Sequence, residues 1–130
     1  MTGIVFWQTN GNAIRSLGNT IQLEYSYLIY SDVVDEVEGQ YDWSIVDNLL
    51  AEAEGNGHQV ILRFRYTYPG QTRVSVPAYI RNSPNYTDQY ENVEGSNTYI
   101  PDWSSQELED FTLEFFSQFV ERYDLSLIHI

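Results

Sequence analysis

The sequence predicts an α/β protein of parallel crossover units, of the (β/α)8 TIM-barrel type, present as a partial barrel of about three to four β/α units. Three observations carry that expectation. Strand-like and helix-like segments alternate along the chain, which implies right-handed crossovers and either an open doubly wound sheet or a closed barrel. No glycine-rich phosphate loop follows the first strand: "WQTNGNAI" (7–14) lacks the spacing of a dinucleotide fingerprint, which favours the barrel. The connection from Pro69 to Asp102 is far longer than an ordinary turn, and long loops after parallel strands generally carry function.

Strand character is found in "GIVFW" (3–7), "IQLEYSYLIY" (21–30) and "QVILRFRYTY" (59–68), and more weakly in the terminal "LSLIHI" (125–130). Between the second and third of these, Trp43, Val46, Leu49, Leu50 and Ala53 recur at the spacing of one helix face. Asp42 is placed to cap that helix, and Gly55 and Gly57 to end it. A second helix begins at "PDWSSQEL", where Ser104 and Glu107 have the spacing of a capping box. Leu108, Phe111, Phe115 and Phe119 then form its apolar stripe, flanked by Phe116, Val120 and Tyr123, and are expected in the core. "YDWS" (41–44) and "PDWS" (101–104) introduce the two helices, an echo explained by capping rather than by a repeat.

The chain has 130 residues, 19 acidic and six basic, for a net charge of −13 and a pI near 4.2. One domain is the default at this length. The charge argues against nucleic acid, whose phosphates need clustered Lys and Arg, and against an anionic membrane surface. No apolar run approaches the roughly 20 residues of a spanning helix. With no cysteine there is neither a disulfide framework nor a thiolate metal site. "MTGIVFWQTN" lacks the basic and apolar regions of a signal peptide, so the chain is either cytoplasmic or lacks its native beginning. Eleven Tyr and three Trp exceed what a small core requires, a bias met in sites for flat-faced polar ligands such as sugars.

"YSDVVDEVEGQYDWSIVDNLLAEAEGNGHQVILRF" resembles the second β/α unit of the clan A glycoside hydrolases, the β-galactosidase-like barrels. "LEYSYL", "HQVILRFRYTYPG", "VPAYI" and "PDWSSQELEDFTLEFFSQFVERYD" resemble a bacterial family of glycosidase-like barrel proteins known only as a domain of unknown function. The resemblance covers roughly residues 3–124, the N-terminal portion of such a barrel, and leaves 125–130 as an atypical tail. It implies a parent protein of roughly 250 residues whose missing C-terminal half would be this chain's partner. It also implies a carbohydrate ligand, a parent that could be secreted or periplasmic, and hydrolysis by two carboxylates. The general acid would sit in an Asn-Glu pair after a fourth strand. No Asn-Glu dipeptide occurs, and Val34-Asp35 replaces the Glu-Pro of the family's turn. The chain alone is therefore expected to be inactive. The alternatives are a non-catalytic carbohydrate-binding or scaffold barrel, and a truncated product without function.

Arg63 and Arg65 lie inside an otherwise apolar strand. If Leu62 and Phe64 face the helices, the two arginines face the barrel interior, because alternate side chains do. Glu24, on the neighbouring strand, is the expected partner of Arg63 or Arg65, fixing register as an interior ion pair. The competing reading makes Arg65, nearest the strand's C-terminal end, part of a ligand-facing floor. Tyr66 and Tyr68, with Trp7 at the end of the first strand and Trp103 beside Pro101-Asp102, complete the candidate sugar-binding set; Tyr79, Tyr86, Tyr90 and Tyr99 either pack the long loop or extend the platform. His58 reads as a turn residue. No His pair has metal-ligand spacing, and Asp32, Asp35, Glu36 and Glu38 lack that of a calcium loop, so neither metal nor cofactor is expected.

Overall fold

The computed structural model describes residues 4–123. Three parallel strands, β1 (Phe6–Trp7), β2 (Leu23–Ile29) and β3 (Gln59–Arg65), form one sheet in the order β1-β2-β3. Helix α1 (Gly11–Leu17) crosses from β1 to β2, and α2 (Ser44–Gly55) from β2 to β3. The long connection that follows holds a short helix, α3 (Ala78–Arg81), and an antiparallel hairpin, β4 (Gln89–Val93) and β5 (Ser96–Ile100). It leads into α4 (Gln106–Tyr123).

This is a mixed α/β arrangement, and the barrel expectation is corrected. A barrel closes its strands into a ring with no free edge. Here β1 and β3 are both edges of an open three-stranded sheet, and the remaining strands are antiparallel and lie in a separate sheet. The tail expected to add a further strand lies outside the described residues.

Helix α2 ends as its glycines predict. Gly57 adopts a φ of +71°, its N–H donates to the Glu54 carbonyl, and the His58 N–H donates to the Ala53 carbonyl. That is a Schellman stop, which satisfies two terminal carbonyls and delivers the chain directly into β3. At the helix starts, Asp42 and Asp102 accept hydrogen bonds from the backbones of Ser44 and Ser104, 3.0 and 3.1 Å away. The echo of "YDWS" and "PDWS" is thus one local turn used twice. The predicted capping box is displaced by a residue: Ser105 Oγ, not that of Ser104, accepts from the Leu108 N–H, and Glu107 accepts from Ser83 instead.

One face of the parallel sheet carries the core. Leu28 of β2, with Leu62 and Phe64 of β3, packs against Trp43 at the start of α2, Val46 of α2, and Leu108, Phe111 and Phe115 of α4. Phe115 is fully buried, with its ring 4.8 Å from Phe64 and 4.9 Å from Tyr30. The stripe predicted for α4 is this contact. The long loop closes one end of the core through Val76, Ile80, Tyr86 and Tyr99. A local network holds it together: Tyr99 donates to Asp88, which also pairs with Arg81, and the Tyr86 and Tyr99 hydroxyls are 3.0 Å apart.

Candidate functional site: the open face of the sheet

All-parallel sheets normally bury both faces. In this structure the helices cover one, and the other presents Trp7, Tyr25, Tyr27, Ile61, Arg63 and Arg65. The parallel register sets Trp7 beside Tyr25, Tyr25 beside Ile61, and Tyr27 beside Arg63. Side chains alternate along a strand, so odd-numbered residues of both long strands share this face. Tyr68, just beyond β3, adds its ring at the C-terminal end.

The rings form a contiguous group. Trp7 lies 5.3 Å from Tyr25 and 5.4 Å from Tyr27; Tyr25 meets Tyr27 edge-on at 5.1 Å; Tyr27 and Tyr68 are 6.2 Å apart. Trp7 and Tyr68 remain 55% and 51% exposed, so the group is a surface and not a core. The Arg65 guanidinium carbon lies 4.5 Å from the centroid of Tyr27 and 4.6 Å from that of Tyr68. That of Arg63 lies 5.7 Å from Tyr27. These are cation–π distances. The Tyr25 phenol is held below its ordinary value of 10.0, chiefly by the Arg63 guanidinium beside it. The Tyr27 phenol is pushed up, first by the neighbouring Tyr25 hydroxyl.

The structure gathers four of the expected residues, Trp7, Arg63, Arg65 and Tyr68, and separates three. Glu24 is the principal correction. It is fully buried on the helix-covered face and pairs with His58, whose Nδ1 lies 2.8 Å from Glu24 Oε1, while Asn56 donates to the same oxygen at 2.9 Å. The expected ion pair with Arg63 or Arg65 does not form, because register places Glu24 beside Val60 and on the opposite side from both arginines. His58, expected as a turn residue, is buried too, with Nε2 donating to the Gly18 carbonyl at 2.8 Å. Tyr66 also faces the helices, stacked on Tyr30 at 4.1 Å and bonded to Thr112. Trp103 is exposed but touches Tyr66, edge-on at 5.9 Å, and is in ring contact with none of the open-face group. Tyr25 and Tyr27 were missed, although the alternation in "LEYSYLI" was their signal. Of the loop tyrosines, Tyr86 and Tyr99 are buried and Tyr79 is partly buried, which makes them packing residues.

A concavity of about 340 Å³ lies away from this face, on the helical side between the long loop and α4. Glu38, Glu107, Asp110 and Glu114 line it with Tyr79 and Phe111. Burial, and then the charges of Glu38, Glu114 and Glu107, push the Tyr79 phenol up to about 12. Among the described residues, no group of three or more His, Asp or Glu side chains is arranged to hold a metal ion. No helix among them is long and apolar enough to cross a membrane.

No protein-family model, curated protein or solved structure matches the chain.

Proposed function

We propose that this chain binds carbohydrate on the open face of its parallel sheet, without hydrolysing it. The observation that carries the reading is the contiguous cluster of exposed Trp7 and Tyr68 with half-buried Tyr25 and Tyr27, neighbouring centroids lying 5.1–6.2 Å apart. A pyranose has apolar C–H faces and a polar rim, and an exposed tyrosine or tryptophan offers a flat apolar body with a hydrogen-bonding tip. The resemblance of "HQVILRFRYTYPG" to glycosidase-like proteins supports a sugar over other flat ligands. Hydrolysis would need two carboxylates flanking the scissile bond. Glu24 is the only acid on the three parallel strands, and it is buried on the opposite face. The reading is therefore of a binding module.

The test is a titration of intrinsic fluorescence with neutral hexasaccharides, alongside calorimetry. Saturable binding that is lost in Trp7→Ala, with the far-UV spectrum unchanged, is the expected result. Calorimetry without heat and an unmoved spectrum at saturating sugar would overturn the proposal.

A further inference from the structure

Resting on that reading, the two arginines of the open face bear on the sugar's chemistry. Six arginines serve a chain with 19 carboxylates. Three of them pair with acids: Arg73 with Asp32, Arg81 with Asp88, and Arg122 with Asp47. Arg15 bonds to Asn12. Arg63 and Arg65 have no carboxylate partner among the described residues, and they stand two positions apart on one strand and one face. In so acidic a protein, two neighbouring cations without a carboxylate between them are complementary to an anion brought from outside.

The environment of Arg65 sharpens this. The rings of Tyr27 and Tyr68 lie beside its guanidinium carbon, with centroids at 4.5 and 4.6 Å, and contribute cation–π attraction. Ring faces do not satisfy edge N–H donors. Nε is buried and no described residue accepts a hydrogen bond from it. A guanidinium is a planar fork that takes a carboxylate through two parallel bonds, and no carboxylate among the described residues fills that role for Arg65. A neutral sugar would leave those donors to hydroxyls, which accept more weakly.

We propose that the open face selects acidic sugars, with Arg65, seconded by Arg63, taking the carboxylate of a uronic acid residue while Trp7 and the tyrosines stack on its ring. The competing anion is a single-stranded nucleic acid, which also combines flat bases with negative charge. The supply of cations opposes it: a phosphate backbone is tracked by a positively charged groove, whereas this face offers two guanidiniums and the other four arginines are engaged elsewhere.

Calorimetry with oligogalacturonate, the matching neutral oligogalactose, and an oligonucleotide of equal charge tests this on the full chain. The expected result is at least tenfold tighter binding of the uronate than of the neutral sugar. Arg65→Met should abolish that preference. Arg65→Lys should keep only part of it, and it guards against misfolding of the methionine variant. Equal affinity for charged and neutral sugars would overturn the inference while leaving the platform intact. Binding of neither sugar would remove both. An oligonucleotide bound more tightly than the uronate would replace the ligand class.

Discussion

Two buried polar side chains set the residue scale. Glu24 and His58 are almost wholly removed from water, at 0% and 2% side-chain exposure. Both His58 nitrogens meet oxygen partners, the Gly18 carbonyl and the Glu24 carboxyl, so the Nδ1–Oε1 contact carries a proton held by one partner or the other. Removing one partner strands the other. His58→Leu is therefore expected to cost about 3–5 kcal/mol, the range for breaking a buried pair, read from urea unfolding. A loss below about 1 kcal/mol would show that the pair contributes little to the fold. By contrast, the Asp47–Arg122 pair is nearly half exposed on both sides. Asp47 is held below the carboxylate range, first by Arg122, so its small contribution is present at neutral pH and is lost as pH falls through that range. Arg122→Ala should cost at most about 1 kcal/mol. At this scale the sequence was partly legible. Trp7, Arg63, Arg65 and Tyr68 were found because charged and aromatic residues inside or just after strands stand out. Glu24 was assigned to the wrong side because alternation gives two faces for each strand but does not say which face of one strand meets which of the next.

The elements were legible where a chain-local signal existed. Periodicity located α2 and α4, and the glycines after α2 located its end. Helix α1 was missed because "GNAIRSL" is too short for a periodic stripe; its sign was Asn10, whose side chain accepts from the Ala13 N–H. The hairpin inside the long loop was also missed, though "ENVEGSNTY" carries a two-residue turn. Glu94 and Gly95 both have positive φ, at 53° and 81°, the pattern of a type I′ turn. A glutamate in that conformation is strained, and asparagine tolerates it better. Glu94→Asn should stabilise the protein by about 0.5 kcal/mol and raise its melting temperature by a few degrees. A lower melting temperature would mean that Glu94 makes compensating contacts. Gly57→Ala should go the other way, by about 1 kcal/mol, since its φ of +71° favours glycine while a Cβ would meet nothing within 4 Å.

For the whole molecule, tyrosine dominates the response to pH. Burial pushes the Tyr30 phenol up to about 12, and raises Tyr66 and Tyr99 still further. The folded values lie above the unfolded value of 10.0, so the native state holds these protons more tightly. Stability is full below pH 10 and falls as pH rises from there towards about 12. Urea midpoints should therefore be level from pH 8 to 9 and drop steeply above 10; a midpoint unchanged at pH 11.5 would contradict the burial of these hydroxyls. The whole fold was the least legible level. Crossover units look alike from sequence whether the sheet stays open or closes, because closure depends on strand number and stagger, which are not local properties. The consequence for function lies in the face that an open sheet leaves bare. The most direct test of the central claim, that this face binds sugar, is a titration of isotope-labelled protein with an oligogalacturonate, followed by NMR. Shifts centred on the Trp7 indole, the Tyr25, Tyr27 and Tyr68 rings and the Arg65 guanidinium are predicted. Shifts centred instead on Tyr79 and Phe111 in the acidic cleft, or no shifts at all, would contradict it.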